Sequence, residues 1–327
     1  MPDSLASFSH IYDTELYVGL VLAVIGVPTN LFHMIILSRK TMRTSSTNIV
    51  LLGIAICDII TFANYVATST RMFLAFSQPY YDYPECIVPQ SSFEMQLDNF
   101  WLCWSNLIRR TSIWLGVSLA VLRTVIVKNP MSNIIAHLSS PRFGWIYNSL
   151  VLLFCSPLSI LMLLRYIPVE YETWIPPESC GYSENISVIE YRMMENGWFA
   201  ERSVIQAQDF LAGLVGELIP CVILPISTVL LILEVRKQKK KPIRSTTSAR
   251  SSRSTKLVLF ITISFLFAIG PLTREVMTLH FLTSILRMFF SFNAIIHCFI
   301  CFFLSIEYRE TAKELFSCKV TLLKIHG

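Results

Sequence analysis

The stretch DNFWLCWSNLIRRTSIWLGVSLAVLRTVIVKNP, residues 98–130, decides how this chain folds. It is long enough to cross a bilayer, since a spanning helix takes roughly 20 residues. It nevertheless carries Arg109, Arg110 and Arg123. Charged side chains are costly in lipid, so these arginines must face protein or water.

Winding the same stretch as a helix places most of its polar residues on one stripe. Arg110 and Asn106 lie to the sides of that stripe. The residues close to its line are Asp98, Trp101, Ser105, Arg109, Ser112, Gly116, Leu119 and Arg123. One polar stripe between two apolar flanks is typical of the central helix of a membrane bundle.

The whole composition indicates a membrane protein. Hydrophobic residues make up 53% of the chain and charged residues 15%, with a mean hydropathy of +0.55. A soluble domain with that balance would expose too much apolar surface. We predict an all-α, single-domain bundle of seven transmembrane helices at about 16–38, 47–74, 98–126, 144–166, 207–234, 256–279 and 282–305.

Loop charges predict the orientation. Segments 38–46, 123–143 and 236–256 carry basic residues and no acid, whereas acids collect at 1–15 and in the segments before span 3 and after span 4. We therefore expect an extracellular tail at 1–15, a cytoplasmic tail at 306–327, and a multi-pass protein of the plasma membrane. Residues 1–15 lack the basic start of a cleavable signal peptide.

Two of the nine cysteines, Cys86 and Cys180, fall on the oxidising face. A single bridge between them is the economical interpretation. Two free thiols, or a bridge in which Cys103 replaces Cys86, are the alternatives. Cys318 in the tail is a candidate for palmitoylation or a free thiol.

Asp58 is the one acid of span 2 and lies about halfway along it. An ionisable group at that depth is a functional candidate. Ser112 and Asn293 are its plausible partners, and together they could hold a sodium ion or an ordered water. A polar path through Asp58 and Arg109 keeps an ion channel or transporter as the alternative function, although no pair of broken helices is visible.

Ligand-binding candidates lie between spans 3, 5, 6 and 7. Arg109 or Arg110 needs an acidic partner: Glu217, Glu275 or a ligand carboxylate; a purely structural ion pair fits the sequence equally well. Ser105 lies on the same stripe. No HExxH, GxSxG or paired intramembrane aspartates occur, so we expect no enzyme and no metal site.

The remaining loops carry modification signals. Asn185 begins an Asn-Ile-Ser triplet that suits glycosylation, within loop 167–206, which is either a lid or a solvated loop. Loop 236–256 is basic and rich in Ser and Thr, which suits phosphorylation as well as attraction to lipid. Residues 307–316 suit a short helix in the cytoplasmic interface.

Taken in order, these features resemble the rhodopsin-like G-protein-coupled receptors. The matching residues are Asn30, Asp58, Arg123 with Pro130, Pro220 or Pro225, Phe265, Pro271 and the stretch FLSIEYRE. The stretches ECIVP, RRTSIWLG, VLRT, KNP, NAIIHCFIC and SIEYR resemble the nematode serpentine chemoreceptors of the Srw class, which are similar to FMRFamide-type peptide receptors. The resemblance implies an extracellular peptide or small-molecule ligand and a heterotrimeric G protein as partners.

Three positions depart from the rhodopsin-like pattern. Leu122 replaces the acid before Arg123, Ile269 replaces a tryptophan of span 6, and the NPxxY position of span 7 reads His297 to Cys301. The resemblance assigns G-protein coupling and switching to Arg123, Pro130, Phe265, Pro271, His297 and Cys301. We expect the altered switch to rely on other contacts.

Overall fold

The computed structural model describes residues 2–76, 86–128, 132–182, 186–199, 201–239, 288, 291–296, 298–303 and 305–325. The first half of the chain is helical. It forms α1 (Pro2–Leu37), α2 (Ser46–Phe76), α3 (Ser92–Lys128), α4 (Asn133–Leu138) and α5 (Pro141–Arg165).

An antiparallel hairpin follows α5. Its strands are β1 (Tyr166–Trp174) and β2 (Val188–Glu195). The chain then forms α6 (Arg202–Gly213), a π-helical turn (Leu214–Leu218), α7 (Ile219–Lys239), α8 (Ser291–Phe303) and α9 (Ile306–Ile325). We call the end of the bundle that carries β1 and β2 the hairpin end, and the end that carries α4 and α9 the tail end.

Within the described ranges, four helical segments are long and apolar enough to cross a membrane: Tyr17–Leu37, Ser46–Arg71, Ser92–Lys128 and Pro141–Arg165. A fifth is obtained if α8 and the first part of α9, which meet at 93°, count as one bent span. The predicted span 207–234 is covered by α6, the π turn and α7. The predicted span 256–279 lies outside the described residues.

Local signals explain where two spans begin. Ser91 and Glu94 form a reciprocal capping box at the start of α3, with Ser91 N donating to Glu94 Oε2 at 2.8 Å and Glu94 N donating to Ser91 Oγ at 3.3 Å. Ser140 caps α5 by accepting from Phe143 N, and Pro141 occupies the first turn. Both helices therefore start a few residues before the predicted spans.

Burial separates a central helix from a peripheral one. The apolar window of α2 is 56% buried inside the bundle, but that of α5 is 17% buried. Large apolar side chains cover the outside of α5: Trp145, Ile146, Leu150, Leu153, Phe154, Ile160, Leu161 and Leu164. Such a surface suits lipid rather than water.

The main core lies toward the tail end and joins α1, α2, α3, α5 and α9. Its members include Ile36, Leu37, Val50, Leu51, Leu115, Leu119, Val151, Cys155, Tyr308 and Ala312. Gly144 lets α5 approach α2, since a Cβ there would stand 2.7 Å from Ile49 Cβ and 3.0 Å from Ser46 Cα. Small residues at helix contacts are how membrane helices pack closely.

Two regions contain secondary structure that was not predicted. Helix α1 begins at Pro2, because the predicted tail 1–15 contains no glycine, and no proline after Pro2, to interrupt a helix. Residues 167–206 are not an irregular loop, since most of Tyr166–Trp174 pairs with Val188–Glu195. β-branched and aromatic residues in both segments favour strands.

Candidate functional site

A cleft opens between the middle of α3 and the α6 region. It is small, is partly open to the surroundings and is lined by Asn106, Arg109, Arg110, Ile113, Ala212 and Gly216. We call it the arginine cleft. Two of the predicted ligand-binding residues, Arg109 and Arg110, therefore lie beside Ala212 and Gly216, for which no role was predicted.

Arg110 forms the buried wall of the arginine cleft. Its side chain donates from Nη1 to Ser159 Oγ of α5 at 3.1 Å, and the residue is 7% exposed. Gly216 faces it, because a Cβ at that position would stand 3.2 Å from Arg110 Nε. A larger residue there would crowd the guanidinium group.

Arg109 is half-buried and donates from Nη2 to Asn106 Oδ1, one turn away, at 3.2 Å. Ser105, the third predicted ligand contact on α3, is also half-buried. The structure therefore brings both arginines, but not Ser105, to the lining of the arginine cleft.

The π turn shapes the other wall. A π turn accommodates one extra residue and is frequent at functional sites. The indole Nε1 of Trp114 in α3 donates to the carbonyl of Val215 in this turn at 3.0 Å, which fixes the turn against α3. Glu217 belongs to the same turn, but its side chain and the whole of Glu275 lie outside the described part, so the predicted ion pairs stay predictions.

A second polar site lies near the middle of α3. Ser112 Oγ donates to Asp58 Oδ1 at 2.6 Å, and Asp58 is 6% exposed. The other oxygen, Asp58 Oδ2, has no hydrogen-bond partner in the part of the chain that the structure describes. A carboxylate and a hydroxyl are oxygen ligands of the kind that hard cations take, so these residues fit a cation or a water.

The rest of the predicted sodium site is less complete. Asn293 is half-buried in α8, and its contribution to Asp58 stays a prediction. Among the described residues, no group of three or more His, Cys, Asp or Glu side chains could hold a metal ion.

At the tail end, a buried polar contact joins the two extremes of the chain. His33 Nδ1 of α1 lies 2.8 Å from the hydroxyl of Tyr308 in α9, and Cys298 Sγ of α8 lies 3.6 Å from the same hydroxyl. Tyr308 is 1% exposed. This contact was not predicted from the sequence, although a histidine inside an apolar span was a usable signal.

Of the predicted switch residues, Arg123 in α3 and Cys301 in α8 are half-buried. Several predicted residues lie outside the described ranges: Pro130, Asn185, Phe265, Pro271, Glu275 and His297. Cys318 lies within α9, and its predicted modification stays a prediction.

The predicted disulfide is present. Cys86 and Cys180 are bonded, with their Cα atoms 5.4 Å apart, and the Tyr182 hydroxyl donates to the Cys86 carbonyl at 2.8 Å. The alternative pairing through Cys103 is wrong, because that thiol is free and points at Asn99 Oδ1, 3.8 Å away. The bridge ties the start of α3 to the segment between β1 and β2.

Two curated proteins are similar to this chain. One is the G-protein coupled receptor dmsr-1 of Caenorhabditis elegans, 30% identical over 117 residues, which are 35% of this chain and 21% of that receptor. The other is the Sex peptide receptor of Drosophila melanogaster, 25% identical over 326 residues, with 90% of this chain and 70% of that receptor aligned. The first alignment therefore spans about a fifth of the relative's length.

A family match covers nearly the whole chain. Residues 17–319 match the family described as "Serpentine type 7TM GPCR chemoreceptor Srw". This match and the apolar helices identify a multi-pass membrane protein of the plasma membrane, and they do not favour the channel or transporter alternative. The chain belongs to the Srw family of serpentine seven-transmembrane G-protein-coupled chemoreceptors.

Proposed function

We propose that this protein is a chemosensory or neuropeptide receptor that binds an extracellular peptide and signals to a heterotrimeric G protein. The observation that carries the proposal is the Srw match over residues 17–319. Loop charges support seven spans with the amino terminus and the hairpin end outside and α9 inside. Asn185 would then be open to glycosylation and Cys318 to palmitoylation.

The ligand enters from the hairpin end and reaches the arginine cleft between α3 and α6. Glu170, Glu172, Glu178 and Glu190 of the hairpin region favour basic residues of the peptide at the rim. Arg109 and Arg110 favour a carboxylate deeper in the bundle. Peptides with both kinds of group are therefore the ligands that this geometry fits best.

Signalling requires a ligand that prefers one of two bundle arrangements, because differential affinity is what shifts such an equilibrium. Arg123 then meets a G-protein helix, with loop 236–256 beside it. A sodium ion or an ordered water held by Asp58 and Ser112 would bias the same equilibrium.

The test is second-messenger output in cells that display the full chain, challenged with a peptide library. An Arg123→Ala copy is measured beside the wild type, with Arg142→Ala as the matched control because Arg142 is an exposed arginine at the tail end. We expect one peptide group to evoke a response that falls strongly in Arg123→Ala and persists in Arg142→Ala at equal surface display.

A ligand-evoked current that persists in Arg123→Ala and needs no G protein would replace the receptor by a channel. Silence of a well-displayed wild-type protein across all peptides would remove the peptide ligand from the proposal.

A further inference from the structure

Gln208 of α6 has a buried side-chain amide. The residue is 6% exposed, and neither its Oε1 nor its Nε2 has a hydrogen-bond partner among the described residues. Leaving a buried donor or acceptor unpaired destabilises the folded state. A native structure that keeps such a group needs a reason for it.

Gln208 lies one helical turn beyond the residues that line the arginine cleft. Ala212 follows it by four residues and Gly216 by eight, and both line the arginine cleft. Residues four apart lie on one face of a helix, so Gln208 belongs to the same face, one turn nearer the hairpin. One turn of four residues is about 6 Å along the axis.

The neighbouring residue fixes the rotation of α6. Asp209 Oδ1 accepts from Arg165 Nη1 at 2.7 Å, and Arg165 Nη2 also donates to Glu195 Oε1 at 3.3 Å. Arg165 stands at the end of α5 and Glu195 at the end of β2. The hairpin therefore holds Asp209 outward, which keeps Gln208 turned into the bundle.

We propose that Gln208 is a specificity-determining residue whose side-chain amide pairs with a backbone peptide group of the ligand, about two residues from the ligand group that occupies the arginine cleft. The chemistry is complementary, since a peptide group offers one N–H and one C=O, and a glutamine amide offers an acceptor and donors. The separation follows from geometry. An extended chain rises about 3.3 Å per residue, so two residues cover the distance of one turn of α6.

This inference rests on the proposed peptide ligand and adds the place where its backbone is recognised. The group in the arginine cleft is a carboxylate, either the free carboxyl terminus or an acidic side chain. A peptide library with free and amidated termini, and with or without one acidic residue, separates these two sources.

The experiment uses the purified full-length protein in detergent and measures its thermal unfolding with and without synthetic seven-residue peptides of that library. Gln208→Leu removes both amide atoms at similar volume. Gln206→Leu is the matched control, because Gln206 is an exposed glutamine of the same helix. Without peptide, we expect Gln208→Leu to unfold at the wild-type temperature or above it, since an unpaired buried amide has been removed.

With the peptides that stabilise the wild type, we expect affinity for Gln208→Leu to fall about tenfold and affinity for Gln206→Leu to stay unchanged. A second experiment measures the affinity of peptides in which each peptide bond in turn is N-methylated. Methylation of the bond two residues from the acidic group should weaken binding to the wild type and have no further effect in Gln208→Leu.

Equal peptide affinity for Gln208→Leu and wild type would overturn the inference while leaving a peptide receptor intact. A lower unfolding temperature of ligand-free Gln208→Leu, with unchanged affinity, would make Gln208 a structural residue. A library in which no peptide stabilises the wild type would overturn the peptide class itself, and with it both proposals.

Discussion

The two ends of the bundle are held together in different ways. At the hairpin end, one disulfide and two ion pairs connect separate elements. They are the Cys86–Cys180 bridge and the contacts of Arg165 with Asp209 and Glu195. The small arginine cleft lies inward of these links, beside the middle of α3. At the tail end, apolar side chains of α1, α2, α3, α5 and α9 pack into one core, in which Tyr308 is 1% exposed. Isolated cross-links fix the helices at a few points, whereas a close-packed core fixes every helix that contributes side chains to it.

The largest expected effect comes from removing the covalent link of the hairpin end. Cys86→Ser combined with Cys180→Ser should destabilise the protein by about 2–5 kcal/mol, because the unfolded chain is no longer cross-linked. Thermal unfolding of the purified protein measures this loss. Mild reduction should lower the unfolding temperature of the wild type and leave the double variant unchanged. A double variant as stable as the wild type would mean that the packing of the hairpin end suffices.

A pair of glycine substitutions compares a close helix–helix contact with an open helix surface. Gly144→Ala should destabilise by about 1–3 kcal/mol, because the new methyl group meets Ile49 and the backbone of Ser46. Gly213→Ala, at the end of α6, is the control, since no described atom lies within 4 Å of its added Cβ. We expect it to be neutral or slightly stabilising in a helix. Equal losses in the two variants would contradict the proposed difference in packing.

The buried contact between α1 and α9 gives a smaller effect. Tyr308→Phe keeps the ring and removes the hydroxyl that meets His33, and we expect a loss of about 1 kcal/mol. His33→Leu and the double variant complete a mutant cycle on unfolding temperature. The double variant should lose less than the sum of the two single losses. Additive losses would show that the two residues act independently.

An exposed ion pair on α9 should give the smallest change in stability. Lys313 Nζ lies 3.0 Å from Glu310 Oε1 on the surface of α9, and both side chains are more than half exposed. Lys313→Ala should change stability by at most about 0.5 kcal/mol, because solvent screens such pairs. A loss as large as that of Tyr308→Phe would mean that Lys313 has a role outside this pair.

The sequence predicted three long apolar helices well, because about 20 consecutive apolar residues are a strong and local signal of a membrane span. Spans 47–74, 98–126 and 144–166 correspond to α2, α3 and α5 within a few residues at most ends. The disulfide was also predictable, since topology left two cysteines on the oxidising side. Each of these predictions needed only composition and order along the chain.

Other features depend on contacts that the chain order does not reveal. The hairpin was read as a loop because its acidic residues conceal the strand pattern, and the cross-strand neighbours become visible only when paired. The π turn changes the count of residues per turn without changing composition. His33 and Tyr308 lie 275 positions apart, so their pairing follows from the fold alone.

The right-angle bend before α9 has a consequence for the surrounding bilayer. Because α9 turns 93° from α8, it runs in the plane of the membrane when α8 crosses it. Its 20 residues extend about 30 Å along one leaflet, a length comparable to the thickness of the hydrocarbon core. The first part of α9 packs under α1 through Tyr308 and Ala312. The helix therefore lies along the headgroups of one leaflet, where lipid composition can act on a segment that touches the core.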